Sequence, residues 1–97
     1  MRLTYIVAYD ICDPMRLRRV HRTMRGYGDA LQLSVFRCEL SASERILMIE
    51  GLTKIIHARE DQVLIVNLGP AEHRGAGSIH TIGRALDNAL TYPAIIV

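Results

Sequence analysis

The chain has few of the features that mark membrane or secreted proteins. None of its apolar runs approaches the roughly 18 residues of a membrane-spanning helix. The apolar stretch 3–9 ends at Asp10 without a signal-peptide cleavage pattern. Only two cysteines occur, Cys12 and Cys38, and no Cys-x-x-Cys pair. This spacing predicts neither a disulfide framework nor a zinc site, and free thiols are typical of the reducing cytoplasm.

Lysine is almost absent, although the chain is slightly basic. Eleven of the 12 basic residues are arginine, only Lys54 is lysine, and the formal net charge is +2 over 97 residues. The planar guanidinium matches phosphate oxygens better than an ammonium does, but a GC-rich genome would give the same bias. Position is more informative, because five arginines lie in one short stretch without an acidic residue: Arg16, Arg18, Arg19, Arg22 and Arg25. The stretch predicts either a solvated helix face or a ridge that binds RNA or DNA.

Apolar periodicity and turn residues predict one domain over 1–97, with a core of about 1–78 and a C-terminal segment of about 79–97. Asp13 and Pro14 indicate a helix start, and Ser41 with Glu44 forms a capping box. The predicted elements, in order, are a buried strand Leu3–Tyr9, a helix from Pro14 to about Tyr27 that ends at Gly28, an extended segment Ala30–Leu40, a helix over 42–57, a buried strand Gln62–Leu68 and a short strand around Ile79–Gly83.

This order predicts an α+β sandwich with helices on one face of the sheet. If Ala30–Leu40 folds as a tight pair of strands, the arrangement is the ferredoxin-like βαββαβ fold, although no Asn-Gly or Gly-x turn marks the bend. The extra strand near Ile79 and the apolar tail 92–97 are additional to that fold. They predict pairing across a homodimer.

Asp10 is the candidate for chemistry. It ends a predicted strand, and Asp13 already supplies the helix cap, so capping does not require Asp10. A carboxylate there suits a hard cation such as Mg²⁺, which takes one or two carboxylates and keeps its waters. A two-fold axis near this strand end would bring two copies of Asp10 together. The alternative is an ordinary polar loop residue.

Other reactive side chains show no catalytic pattern. The four histidines, His21, His57, His73 and His80, lack paired metal spacing and are predicted to be surface or partly packed residues. Ser34 has no Gly-x-Ser-x-Gly context. Gly75 and Gly77 complete no phosphate-binding signature and indicate a flexible loop.

Four segments together resemble the second CRISPR-associated protein family, the small ferredoxin-like adaptation nucleases that partner the CRISPR integrase. They are Tyr9-Asp10-Ile11, Arg16-Leu17-Arg18-Arg19-Val20, Tyr27-Gly28 and Gln32-Leu33-Ser34-Val35-Phe36. Asp61-x-Val63-x-Ile65, Leu68-Gly69, Ile82-Gly83 and the apolar tail extend the likeness over nearly the whole chain.

The resemblance implies a homodimer whose C-terminal strands pair across to the partner. It implies a Mg²⁺- or Mn²⁺-dependent endonuclease acting on RNA or double-stranded DNA, with Asp10 as the metal-associated catalytic residue and the integrase as a partner. Our hypothesis is phosphodiester hydrolysis at the two-fold axis, with flanking phosphates held by arginines. The nucleic-acid-binding candidates are Arg16, Arg18, Arg19, Arg22, Arg25 and Arg37, and the supporting residues are Tyr9, Gln32, Ser34 and Phe36.

Two other functions stay open from the sequence. One is a non-catalytic DNA-binding scaffold in which the arginine ridge grips the duplex and the C-terminal strand docks the integrase. The other is an RNA-interferase toxin of related fold. The chain also departs from the resembling family at Ala30, where an arginine is common, at Arg37, where an acidic residue is common, and at Val66, which replaces a frequent tyrosine. These departures concern substrate preference and not the fold.

Overall fold

The computed structural model describes residues 1–74 and 79–86. Within them the chain forms an α+β sandwich in which two helices cover one face of a four-stranded antiparallel sheet of order β2-β3-β1-β4. This is the predicted ferredoxin-like βαββαβ arrangement. The elements are β1 Leu3–Asp10, α1 Pro14–Arg25, β2 Gly28–Gln32, β3 Val35–Leu40, α2 Ala42–Ile55, β4 Gln62–Pro70 and the single turn α3 Ala71–Arg74. No helix of the described residues is long and apolar enough to cross a membrane.

β1 lies at the centre of the sheet, and its side chains alternate between the two faces. Tyr5, Val7 and Tyr9 are buried under the helices, next to Phe36 of β3. The helices complete this core with apolar side chains at three- and four-residue spacing: Val20, Met24, Met48 and Leu52 are all buried. Each helix therefore packs against the sheet through one apolar face.

Both helices begin where the sequence predicts. The Asp13 carboxylate accepts a hydrogen bond from the Arg16 backbone N–H at 2.9 Å, with Pro14 in the first turn. At α2, Ser41 and Glu44 form the reciprocal capping box. These side chains satisfy backbone N–H groups that a helix start leaves without partners.

The predicted end of the first helix is wrong. α1 ends at Arg25, Gly26 caps it, and Gly28 is the first residue of β2 and not a helix stop. A Cβ atom on Gly28 would lie 2.2 Å from the Arg37 carbonyl oxygen and 2.7 Å from the Cys38 Sγ. Gly28 is needed for the close approach of β2 to β3, which local sequence patterns do not reveal.

The segment 30–40 forms the tight strand pair on which the ferredoxin-like prediction depends. Only Leu33 and Ser34 connect β2 to β3, and the backbone N–H of Tyr9 donates to the Ser34 carbonyl at 3.0 Å. The register shifts between Ala30 and Gln32. A tertiary hydrogen bond from β1 thus supports a turn that lacks the usual Asn-Gly signal.

The C-terminal part differs from the prediction. β4 extends to Pro70, with Gly69 at a φ of 93° opposite the irregularity between Thr4 and Tyr5. Within one chain, the described residues 79–86 contain neither helix nor strand, so the strand predicted around Ile79–Gly83, which is expected to pair with a second copy, stays a prediction. A strand that pairs only with another copy would have no partner in one chain. The apolar tail 92–97 lies outside the described residues.

One face of the sheet is left open by the helices. Two rows of side chains that cross β3, β1 and β4 lie on this face, Arg37–Ile6–Val66 and Val35–Ala8–Leu64. In the next row, Asp10 of β1 pairs with Gln62 of β4. Leu64 is 53% exposed and Val66 49% exposed. This face, which we call the open face, is therefore largely apolar at its centre and carries Asp10 at one end.

Candidate functional site

Asp10 lies where the open face meets the loop to α1. Its Cα pairs with that of Gln62, and its side chain is exposed on the same face as Ala8. The carboxylate makes no hydrogen bond or ion pair with any other described residue. A shallow cavity of about 250 Å³ opens beside it and is lined by Tyr9, Asp10, Ile11, Leu17, Leu33 and Ser34. Asp10 is thus positioned by the backbone, with its oxygens available to a ligand.

Tyr9 connects this corner to the core. Its phenol oxygen lies 3.1 Å from Nδ1 of His21 and 3.3 Å from the Leu33 carbonyl oxygen. Its ring stacks on Phe36 at 6.2 Å, and His21 meets Phe36 edge-on at 5.3 Å. Burial raises the pKa of the Tyr9 phenol, and burial together with the Arg25 charge lowers the pKa of His21. A neutral His21 and a protonated Tyr9 therefore hold the β2–β3 turn against α1.

Asp61, directly before β4, joins three segments around the Asp10 loop. Its Oδ1 accepts from the Cys12 backbone N–H at 2.9 Å, and its Oδ2 accepts from the His57 backbone N–H at 2.8 Å. Arg16 donates to both oxygens, from Nε at 2.7 Å and from its terminal nitrogen at 3.2 Å. The Asp61 side chain is fully buried. Hydrogen bonding to Arg16 is the largest cause of the strongly lowered pKa of Asp61, so the carboxylate stays ionised.

The arginines of α1 divide into two groups. Arg18, Arg19, Arg22 and Arg25 are exposed and form no ion pair with another described residue. We call these four the arginine ridge. Arg16 differs, because its guanidinium pairs with Asp61 and, at 3.0 Å, with Glu60. The stretch contains no acidic residue, but the fold supplies Arg16 with two acidic partners that lie 44 and 45 residues away in sequence.

Comparison with known proteins identifies the family. The profile of the CRISPR associated protein Cas2 family matches residues 1–74. The chain belongs to the Cas2 family. It is 46% identical to a CRISPR-associated endoribonuclease Cas2 of Rhodospirillum rubrum, over 86% of this chain and 80% of the relative. It is 42% identical to the corresponding protein of Geobacter sulfurreducens, over 99% of this chain and 100% of the relative.

Solved structures agree with the Cas2 assignment. The crystal structure of Streptococcus pyogenes Cas2 superposes with a TM-score of 0.72 at 29% identity, covering 82% of this chain and 99% of that one. A hypothetical protein from Thermus thermophilus superposes with a TM-score of 0.77 at 25% identity, covering 91% and 99%. The family resemblance and the ferredoxin-like fold predicted from the sequence are both confirmed.

The Cas2 fold brings several of the predicted site residues to one corner. Tyr9, Asp10 and Ser34 line the same cavity, and Phe36 packs beneath it. Gln32 is exposed at the end of β2. Arg37 lies on the open face opposite Ile6, separate from the arginine ridge. The roles assigned to these residues stay predictions.

Two residues near Asp10 were missed by sequence reasoning. His21 was predicted to be surface or partly packed, but it is 3% exposed and contacts Tyr9. Its place at an apolar position of α1, next to Val20, was the available signal. Asp61 was noted only as part of a motif, and its buried pairing with Arg16 has no local signal. A partner so distant in sequence becomes visible only in the fold.

Among the described residues, no group of three or more His, Cys, Asp or Glu side chains could enclose a metal ion. At the Asp10 corner, one chain contributes one carboxylate without a hydrogen-bond or ion-pair partner among the described residues, that of Asp10. Oxygen donors suit Mg²⁺, which keeps several waters and needs only one or two carboxylates. The donor set fits such a cation if a second copy supplies the other carboxylate.

Proposed function

We propose that this Cas2-family protein is a homodimeric, Mg²⁺-dependent endonuclease that hydrolyses phosphodiester bonds of RNA or double-stranded DNA. The observation that carries the proposal is the free, exposed carboxylate of Asp10 at the end of the open face. Curated relatives covered over most of their length are named endoribonucleases, which supports a nuclease activity. We further propose a cytoplasmic role in CRISPR adaptation, in which the dimer bridges integrase dimers during spacer insertion.

The open face supports the homodimer. A two-layer domain leaves one sheet face without a covering layer, and here that face carries Ile6, Leu64 and Val66. Contiguous exposed apolar side chains mark interaction surfaces. A two-fold axis through this face would make the contact self-complementary. If that axis passes near the end of β1 that carries Asp10, the two copies of Asp10 would approach each other.

The chemistry assigned to this chain's residues is limited. Asp10 from each protomer would hold Mg²⁺, which when bound activates water and offsets charge on the phosphoryl oxygens. The arginine ridge would hold the backbone through charge-assisted hydrogen bonds. Water attacks phosphorus, the P–O bond to one nucleoside breaks, and that oxygen leaves with a proton from solvent. No described side chain beside Asp10 is placed to act as a general base, so we expect slow turnover.

A second candidate function is a DNA-binding scaffold without required chemistry. Four exposed arginines with no ionic partner among the described residues favour it, because unpaired guanidinium groups are available to phosphates. Both functions need the arginine ridge, and only the nuclease needs Asp10.

The decisive experiment compares Asp10→Asn with Glu50→Gln, an exposed carboxylate of α2. We expect Asp10→Asn to lower Mg²⁺-dependent cleavage of RNA and duplex DNA at least about 100-fold, within the range for lost electrostatic stabilisation, while Glu50→Gln cleaves as the wild type does. Equal cleavage by all three proteins would overturn the role of Asp10. If spacer acquisition with an integrase persists in Asp10→Asn, the scaffold is the cellular function.

A further inference from the structure

We propose that Asp61 is a positioning residue for Asp10, and that Arg16 serves this network and does not bind the nucleic-acid backbone. The inference rests on the proposed function only where it concerns the bound cation. Its structural part, that the Asp61 carboxylate fixes the loop after Asp10, stands on the contacts of the described residues alone.

The Asp61 carboxylate is saturated with donors. Four hydrogen bonds of 2.7–3.2 Å reach its two oxygens, from the backbone of Cys12 and His57 and twice from Arg16. Its side chain is fully buried, whereas that of Arg16 is 22% exposed. A buried carboxylate with such a donor set has one position it can occupy, since any displacement leaves donors unsatisfied.

Asp10 is held from both sides by groups attached to Asp61. On its C-terminal side only Ile11 separates it from Cys12, whose N–H binds Asp61. Across the sheet its partner is Gln62, the residue that directly follows Asp61. No described residue makes a hydrogen bond or ion pair with the Asp10 carboxylate, so the backbone, which groups attached to Asp61 flank on both sides, sets its position.

The consequence for a cation site follows from its small donor set. A site with one carboxylate per protomer has no surplus ligands to compensate for a displaced one. Ligand positions must hold within about 0.5 Å for productive geometry, and outer hydrogen-bonding partners of ligands typically contribute 10–100-fold to metal affinity. We therefore expect loss of the Asp61 network to weaken Mg²⁺ binding without removing a ligand.

The guanidinium of Arg16 is committed to this network. Its Nε and one terminal nitrogen donate to Asp61 and Glu60, so binding a phosphate through the same edge would break a buried pair. The arginine ridge has no such competing partner. Arg16 therefore belongs with Asp61 and not with the ridge.

The test uses Asp61→Asn in the full chain, with Glu44→Gln as the matched control. Glu44 lies in the first turn of α2, away from Asp10. Its carboxylate accepts two hydrogen bonds from the Arg2 guanidinium and one from the Ser41 backbone N–H. Asparagine keeps the shape of Asp61, but its NH₂ group must face a donor. Both variants remove one carboxylate charge from an arginine pair, and only one touches the Asp10 loop.

Cys12 provides a readout that does not depend on activity. Its thiol is exposed and donates to the Glu60 carbonyl at 2.9 Å, while Cys38 is buried and burial raises its pKa to about 11. In metal-free buffer we expect Asp61→Asn to increase the rate of Cys12 modification by a disulfide reagent at least 5-fold, and Glu44→Gln to change it less than 2-fold. An unchanged Cys12 rate in folded Asp61→Asn overturns the positioning role.

The second readout is the Mg²⁺ concentration for half-maximal cleavage. We expect it to rise about 10-fold in Asp61→Asn, with cleavage at saturating Mg²⁺ recovering to within 3-fold of wild type. A uniform loss at all Mg²⁺ concentrations would instead indicate general damage and overturn the proposal. If the wild type itself shows no Mg²⁺-dependent cleavage, the proposed function fails, and the Cys12 rates still decide the structural part.

Two further variants of Arg16 complete the test. If Asp61→Asn does not fold, Arg16→Lys replaces it, because lysine keeps the charge but cannot form the paired contact, and the same Cys12 criterion applies. Arg16→Gln should leave the affinity for duplex DNA within 2-fold of wild type, whereas Arg18→Gln should lower it. A loss with Arg16→Gln as large as that with Arg18→Gln would overturn the assignment of Arg16.

Discussion

The phenol oxygen of Tyr9 lies 3.1 Å from Nδ1 of His21, and this buried contact joins the central strand to α1 directly beneath the Asp10 corner. The same oxygen reaches the Leu33 carbonyl at 3.3 Å. Both contacts are satisfied when neutral His21 donates from Nδ1 and Tyr9 donates to Leu33. One hydroxyl thus supports both the strand end that carries Asp10 and the turn that flanks it.

Removing this hydroxyl should destabilise the domain. Tyr9→Phe leaves His21 Nδ1 and the Leu33 carbonyl without their partner, which should lower the free energy of unfolding by about 1–3 kcal/mol. Tyr27→Phe is the control, since Tyr27 is half-buried and its hydroxyl has no partner among the described residues. Urea unfolding measures both. Equal stability losses in the two variants would contradict the role of the Tyr9 hydroxyl.

The stability of the fold should depend on pH through His21. Burial and the Arg25 charge lower the pKa of His21 in the folded state, whereas the unfolded chain takes up this proton near about pH 6.5. The contribution is therefore present above about pH 6.5 and is lost as the pH falls, with a slope of at most about 1.4 kcal/mol per pH unit for one proton.

Thermal unfolding between pH 8 and pH 5 checks this dependence. In His21→Gln, the loss of stability at low pH should be smaller than in the wild type. In His57→Gln, at an exposed position, the loss should be as large as in the wild type. If stability falls with pH as steeply in His21→Gln as in the wild type, a group other than His21 causes the pH dependence.

Two glycines give opposite predictions for the same substitution. Gly28→Ala places a Cβ 2.2 Å from the Arg37 carbonyl oxygen, and we expect it to prevent stable pairing of β2 with β3. Gly51 lies inside α2, and a Cβ there meets only Thr23 Cγ2 at 3.8 Å. Gly51→Ala should stabilise the protein by about 0.5–1 kcal/mol. Circular dichroism during thermal unfolding compares them, and a mild effect of Gly28→Ala would contradict the close approach.

Much of the fold was predictable because its signals are local. Asp13 with Pro14, and Ser41 with Glu44, define helix starts through contacts within four residues. The apolar spacing of Val20 and Met24 likewise reflects one helix surface. The β2–β3 turn had no local signal, since the Tyr9 N–H that supports it comes from another strand.

The candidate site was predictable only in part for the same reason. The position of Asp10 at the end of a buried strand could be predicted from the apolar run before it, while its role stays a prediction. The pairing of Arg16 with Asp61 could not, because it depends on where α1 and the end of α2 meet. The strand predicted at 79–83 does not form within one chain, and sequence periodicity cannot say which chain supplies a strand's partner.

The proposed dimer predicts unequal effects of two exposed leucines. Leu64 on the open face is 53% exposed and Leu47 on α2 is 57% exposed, so aspartate at either position places a charge in solvent in the monomer. If two open faces pack together, Leu64→Asp buries two charges at the interface and should lower dimer affinity at least about 100-fold, since an unpaired buried charge costs several kcal/mol. Light scattering across a dilution series measures this. Dissociation caused by Leu47→Asp instead would place the interface on the helix layer.

The arginine ridge predicts the salt dependence of nucleic-acid binding. Each phosphate contact contributes about 0.9 to the slope of log affinity against log salt on duplex DNA. Arg18→Gln with Arg22→Gln removes two exposed charges per protomer, so the slope should fall by about 1.8, or by about 3.6 if both ridges of a dimer touch the duplex. Lys54→Gln with Arg59→Gln removes the same charge from exposed positions at and after the end of α2. Because both double variants change net charge equally, a matching decrease in slope would mean that total charge drives binding, whereas a decrease confined to the ridge variant locates the backbone contact on α1.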